Sequence, residues 1–127
     1  MNVHLDTHVA LWIAAGDQRK LRPVAAWLRH GTLFLSPIVL VEMELLREIG
    51  RVRESASVIF DVLANDYGVT EAAGSLSDLA SYARLLGWTR DPFDRLIVAH
   101  ALANQATLLT ADTTILAHCV QACWGKK

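Results

Sequence analysis

Apolar residues along this chain fall in short blocks separated by capping and turn residues, and the blocks alternate between strand and helix periodicity. The run Val3-His4-Leu5 predicts a buried strand over residues 2–5, ending at Asp6. Thr7 is placed to cap a helix through Val9, Leu11, Trp12 and Ile13 that stops at Gly16. Past the turn at Gly16-Asp17, Pro23 is expected to open a second helix carrying Val24, Trp27 and Leu28, closed by Gly31. Thr32-Leu33-Phe34-Leu35 reads as the second strand. Ser36 then caps, and Pro37 begins, a helix over about 37–49 with Leu40, Met43, Leu46 and Ile49 expected on its apolar face.

Farther on, Val58, Ile59, Val62 and Leu63 predict a helix over 55–65, followed by a short strand at Tyr67-Gly68-Val69. Another helix is expected over about 75–86, ended by Gly87. Asp91 and Pro92 have the form of an N-cap and first helical residue, and the apolar helix they open runs to Asn104 with Asp94 in its first turn. Thr107-Leu108-Leu109 is the fourth strand, and Thr110-Ala111-Asp112 leave its carboxyl end as Asp6 leaves the first. A short helix over 112–117, a last strand near 119–124 and a frayed tail at Gly125-Lys126-Lys127 complete the chain. Strands alternating with helices imply an α/β fold, a central mostly parallel sheet flanked by helices on both faces, with residues 1–127 as one domain.

Composition changes this picture little. A chain of 127 residues with 53% hydrophobic content and a mean hydropathy of +0.28 can bury a full core, and its apolar excess fits strands covered on both faces or a patch kept for a partner. No apolar run reaches the roughly 18 residues of a membrane helix, and the start lacks a basic leader; a cytosolic protein is expected. Cys119 and Cys123 are too few and too close for a disulfide framework, and with His118 they make only a fragment of a zinc site. They read as small packed residues. A net charge of −1 argues against holding nucleic acid by bulk electrostatics, so such chemistry needs a local basic patch or a bound cation.

The candidate chemistry lies in four acids. Asp6 and Asp112 follow strand ends, Glu42 follows the second strand just over one turn into its helix, and Asp94 opens the helix leading to the fourth strand. In open α/β sheets the carboxyl edge is where ligands bind. Four carboxylates there would repel one another and take up protons, a conflict that a hard divalent cation such as Mg²⁺ or Mn²⁺ resolves. Taken singly, each acid reads more readily as a cap or surface residue than as part of a site; the joint placement of four favours the site. Arg47, Arg51 and Arg53 read either as a solvated face with favourable helix-dipole placement or as contacts to phosphates or a partner. The chain carries no glycine-rich phosphate loop, nucleophile elbow or H-E-x-x-H motif. Its five histidines are scattered, with His8 close to Asp6 and His100 on the helix over 92–104 that is expected to be buried; each reads as a packing or hydrogen-bonding residue rather than a ligand.

Four motifs together resemble the PIN domain, and more closely the VapC-type toxins of prokaryotic type II toxin-antitoxin systems: Leu5-Asp6-Thr7-His8-Val9-Ala10-Leu11-Trp12, Ser36-x-x-x-Leu40-x-Glu42, Asp91-Pro92-Phe93-Asp94-Arg95-Leu96-Ile97-Val98-Ala99 and Leu109-Thr110-x-Asp112. They span nearly the whole chain in order. The resemblance implies a PIN-like nuclease domain acting as a Mg²⁺- or Mn²⁺-dependent endoribonuclease, restrained by a cognate antitoxin protein and often forming a homodimer. It carries the family's catalytic and metal-binding acids onto Asp6, Glu42, Asp94 and Asp112, with Thr7 and Thr110 as supporting polar groups and Asp91 as an outer acid. Two departures stand out. Val39 occupies a position often taken by Ser or Thr in relatives, and residues 55–90 match nothing specific. The rival readings are a PIN fold that binds nucleic acid or protein without cutting, a nuclease acting on DNA, and a phosphoacceptor receiver domain. The last lacks both an acceptor Asp after the third strand and a lysine in the expected place.

Overall fold

The computed structural model describes residues 1–125; the tail expected at Lys126–Lys127 lies outside the described residues. The centre of the molecule is a five-stranded, wholly parallel sheet in the order β3-β2-β1-β4-β5. Strand β1 (Asn2–Leu5) lies in the middle, pairing Val3 with Leu33 of β2 (Thr32–Leu35) and Leu5 with Leu109 of β4 (Thr107–Leu109). Both its faces are covered, since Val3, His4 and Leu5 are each no more than 2% exposed. That is why β1 reads as a continuous apolar run rather than an alternating one. The edges are the two-residue strands β3 (Thr70–Glu71) and β5 (Ala122–Cys123), too short to offer a long template for another chain.

Helix α1 (Thr7–Ala15) follows β1, and α2 (Gln18–Leu21), a 3₁₀ turn (Arg22–Val24) and α3 (Ala25–His30) lead into β2. Gly31 closes α3 where there is no room for a side chain: a Cβ would stand 2.7 Å from both the Trp27 carbonyl and Val3 Cγ2. Helices α4 (Pro37–Glu48) and α5 (Ala56–Tyr67) connect β2 to β3, and α6 (Leu76–Ala83) and α7 (Pro92–Ala103) connect β3 to β4. The six-residue α8 (Thr113–His118) precedes β5. Serine or aspartate caps the helices at Asp6, Asp17, Ser36, Ser55, Ser75, Asp91 and Asp112, each accepting a backbone N–H. A cap of this kind is worth about 1 kcal/mol. No helix among the described residues is long and apolar enough to cross a membrane.

Several expected boundaries move. Asp6, not Thr7, caps α1, because its carboxylate is in reach of the first free N–H while Thr7 already has helical backbone. The segment after Gly16 becomes helical at Gln18 rather than at Pro23, because Asp17 supplies a cap; Pro23, which has no N–H, falls in the 3₁₀ turn. The buried face of α4 is Val39 and Met43, four residues apart, whereas Ile49 lies past the helix end and is 67% exposed. Tyr67 stays in α5, Gly68 closes that helix in the left-handed conformation, and the strand begins only at Thr70. Helix α6 ends at Ala83, before Gly87, and the last strand is confined to Ala122–Cys123, with Cys119 at the end of α8.

A buried polar network ties α4 to α7. His100 Nδ1 lies 2.7 Å from the Ser36 hydroxyl, and His100 Nε2 lies 2.8 Å from the Ala73 carbonyl. Only an Nε2–H satisfies that carbonyl, so in the neutral ring Nδ1 accepts from Ser36, which in turn accepts from Ile38 N at the start of α4. Asn104 donates to the same carbonyl and to His4 Nε2. His4 packs edge-on against His100, and burial, aided by His100, lowers its pKa to about 4. A neutral His4 fits this buried place better than a charged one.

Candidate active site at the carboxyl edge of the sheet

Asp6 leaves β1 where β1 and β4 are still joined, its own N–H donating to the Leu109 carbonyl at 3.0 Å. It is only 4% exposed, and its carboxylate is held on three sides. Oδ1 accepts from Thr7 N at 2.8 Å, Oδ2 accepts from Thr110 Oγ1 at 2.6 Å, and His8 Nδ1 stands 3.5 Å from Oδ2. His8 Nε2 accepts from Ala111 N at 3.0 Å, so the proton of its neutral ring sits on Nδ1, facing Asp6. Burial of a carboxylate is tolerable here because each oxygen has a donor.

Thr110 serves two acids at once. While donating to Asp6, its hydroxyl oxygen accepts from Asp112 N at 3.0 Å, which sets the path of the chain into α8. Asp112 caps that helix with Oδ1, accepting from Thr114 N at 2.8 Å and Ile115 N at 3.1 Å. Asp91 caps α7 in the same way with Oδ1. In both residues one oxygen serves the fold and Oδ2 stays available.

Glu42 leans back along α4 and accepts from Thr7 Oγ1. Burial raises its pKa, the Thr7 bond opposes that, and the Asp6 and Asp91 carboxylates add to the rise. Val39, at the position often taken by Ser or Thr in relatives, is fully buried in the core, and the hydroxyl that reaches Glu42 is that of Thr7. Asp94 stands in the first turn of α7, half-buried, and no hydrogen bond among the described residues ends on its carboxyl oxygens. Burial first, then the negative charges of Asp91, Asp6, Asp112 and Glu42, push its pKa up to about 7.

All four acids singled out in the sequence therefore line one cavity of about 260 Å³, with Asp91, Thr7 and His8 beside them and Leu11 and Leu46 on its wall. A larger groove, about 630 Å³, runs past Trp12, Val52, Val58 and Val62, but it gathers no comparable cluster of acids; size does not locate the chemistry. His8 was legible only as a neighbour of Asp6, and its bond to the backbone after β4 had no sequence signal. Of the basic residues near the end of α4, Arg47 is taken up by Glu44, whose carboxylate also accepts from Ala56 N at the start of α5.

The donor set fits a hard cation. Among the described residues, Glu42, Asp91 and Asp112 each keep one carboxylate oxygen free of protein donors and Asp94 keeps both, and the mutual repulsion that adds to burial in raising the pKa of Asp94 is one that a divalent ion would offset. No three His, Cys, Asp or Glu side chains among the described residues are gathered into ligating geometry.

The PIN domain family model matches residues 3–119. Among solved structures, the chain is similar to VapBC2 from Rickettsia felis bound to a fragment of promoter DNA, with a TM-score of 0.68 at 18% identity, covering 96% of each chain. DNA-bound VapBC from Salmonella typhimurium gives 0.63 at 14% identity over 96% of this chain and 95% of the other. FitAcB from Neisseria gonorrhoeae gives 0.56 at 22% over 94% and 95%. No curated protein sequence matches the chain. At these identities the structural likeness concerns the fold.

Proposed function

Since this chain belongs to the PIN domain family, whose model it matches over residues 3–119, we propose that it is a metal-dependent endoribonuclease, the toxin of a VapC-type toxin-antitoxin pair. The observation that carries the reading is the convergence of Asp6, Glu42, Asp94 and Asp112, from four separate elements, on one cavity at the carboxyl edge of the sheet. These acids would hold Mg²⁺ or Mn²⁺, with Asp91 as an outer charge. When bound, such an ion supplies neutralisation of the site's charge and Lewis-acid stabilisation of the phosphate.

The chain's own groups do the rest. Thr110 and Thr7 fix the carboxylate planes of Asp6 and Glu42 through their hydroxyls, and His8 lies against the second oxygen of Asp6. Asp94, on whose carboxyl oxygens no hydrogen bond among the described residues ends, is left free to hold the ion at the start of α7. The structural neighbours are complexes named VapBC and FitAcB, which supports an antitoxin as the restraining partner. Exposed Val41 and Leu45 on α4, Ile49 just past its end, and Val58 on α5 offer apolar surface for that antitoxin or for a second copy in a homodimer.

The test is cleavage of RNA by the purified protein, with DNA of the same sequence as control. Cleavage should require Mg²⁺ or Mn²⁺ and fall by about 10²- to 10³-fold in Asp6→Asn, the range for loss of an essential electrostatic group. Equal cleavage by that variant, or cleavage in chelator, rejects the site.

A further inference from the structure

Charge is segregated along this chain in a way the acidic cavity does not use. From Gln18 to Val41 there is no Asp or Glu, yet Arg19, Lys20, Arg22 and Arg29 fall within that stretch. The fold gathers three of them around a groove of about 570 Å³ at the far end of α1, where Arg19, Arg22 and Arg29 lie beside Tyr67 and over Leu21 and Leu28. No acid lines it. Lys20 is turned away, paired with Asp17 and lying over Trp12. Arg47, Arg90 and Arg95 are each engaged by Glu44, the Gly87 carbonyl or the Thr89 carbonyl. Among the described residues the guanidiniums of Arg19, Arg22 and Arg29 make no ion pair or hydrogen bond, and all three residues are exposed, as is Tyr67.

Resting on the ribonuclease reading above, we propose that this groove is a second binding surface for the RNA substrate, in which the three arginines hold backbone phosphates and Tyr67 offers a face for a base. Arginine forks suit phosphate oxygens, and an exposed aromatic beside them is the usual platform for unpaired bases. An RNA chain repelled by the carboxylates at the cutting edge gains its attraction elsewhere on the surface. The groove and the acids lie at opposite ends of α1, at least about 13 Å apart at 1.5 Å per residue, so only an RNA of more than about four nucleotides can reach both. The surface therefore acts on long substrates and leaves short ones untouched.

The experiment compares wild type with the triple variant R19Q/R22Q/R29Q and with Tyr67→Ser. Binding of a long mixed-sequence single-stranded RNA is measured against salt concentration with Ca²⁺ present, and cleavage of the same RNA and of a trinucleotide with Mg²⁺. The triple variant should bind the long RNA at least about tenfold more weakly, with a salt slope smaller by about 2, or about 0.7 for each lost phosphate contact. Trinucleotide cleavage should be unchanged. Equal affinity and slope in wild type and variant overturn the groove while leaving the ribonuclease reading intact; an intact RNA profile with lost capture of an acidic protein partner overturns it as well. A wild type that neither binds nor cuts RNA overturns both.

Discussion

Replacing Asp94 by asparagine should make the protein more stable while removing its activity. Asp94 is half-buried, and its pKa is raised from 3.8 to about 7 by burial and by the neighbouring carboxylates. The folded state thus binds this proton more tightly than the unfolded chain does. The resulting stability is fully present below about pH 4 and is lost as pH rises through about 7. Fully expressed, a rise of that size would correspond to about 4 kcal/mol, at about 1.36 kcal/mol for each tenfold change in proton affinity; partial exposure and salt screening reduce this to about 1–2 kcal/mol. Asparagine keeps the shape and removes the charge. In chelator at pH 8, Asp94→Asn should melt roughly 5 °C above wild type, the two curves converging near pH 4. Added Mg²⁺ should erase the gain by offsetting the repulsion in wild type alone. Calorimetry or thermal circular dichroism across pH 4–8 reads this directly. If Asp94→Asn is no more stable than wild type at pH 8 in chelator, Asp94 is not held against like charge, and the account of the site fails.

Three further outcomes follow from the hydrogen bonds. Thr110→Val, fully buried, should lose roughly 1–3 kcal/mol in denaturant melts and at least tenfold in cleavage, with Thr110→Ser restoring both, because only the hydroxyl can serve Asp6 and the Asp112 N–H together. At Asp112, alanine should cost about 1 kcal/mol of stability through the lost cap of α8, whereas asparagine keeps the cap; both should abolish cleavage, separating the two oxygens' roles. His100→Leu should destabilise by about 1–3 kcal/mol, leaving the Ser36 hydroxyl without its acceptor and the Ala73 carbonyl with Asn104 alone, and the loss should be readable as a lower urea midpoint.

Much of this protein was legible in residue order. The apolar runs at Val3-His4-Leu5, Leu33-Phe34-Leu35 and Leu108-Leu109 read as strands of a covered sheet, and Ser36-Pro37 and Asp91-Pro92 fix helix starts through local chemistry, a side-chain acceptor followed by a residue that needs no donor. The four acids could be picked out because each follows such a junction. Local signals failed where two of them competed. Asp6 and Thr7 can both cap, and Asp17 overrode Pro23. Near Gly68, a helix C-cap and a strand start look alike within three residues, and helix α5 extended to claim Tyr67. On α4, two apolar faces fit the same spacing, and the packing of α5 and α7 chose Val39 and Met43.

What residue order determined, then, was which segments become strands and helices and which acids stand at their ends, since those depend on neighbours within a turn or two. Tertiary structure alone decided the strand order that brings Asp112 beside Asp6, the shared Thr110 hydroxyl, the raised pKa of Asp94 and the joining of α4 to α7 through His100. Each of these arises between groups distant in the chain, where Coulomb repulsion, burial and hydrogen-bond geometry act through space and leave no mark on local periodicity.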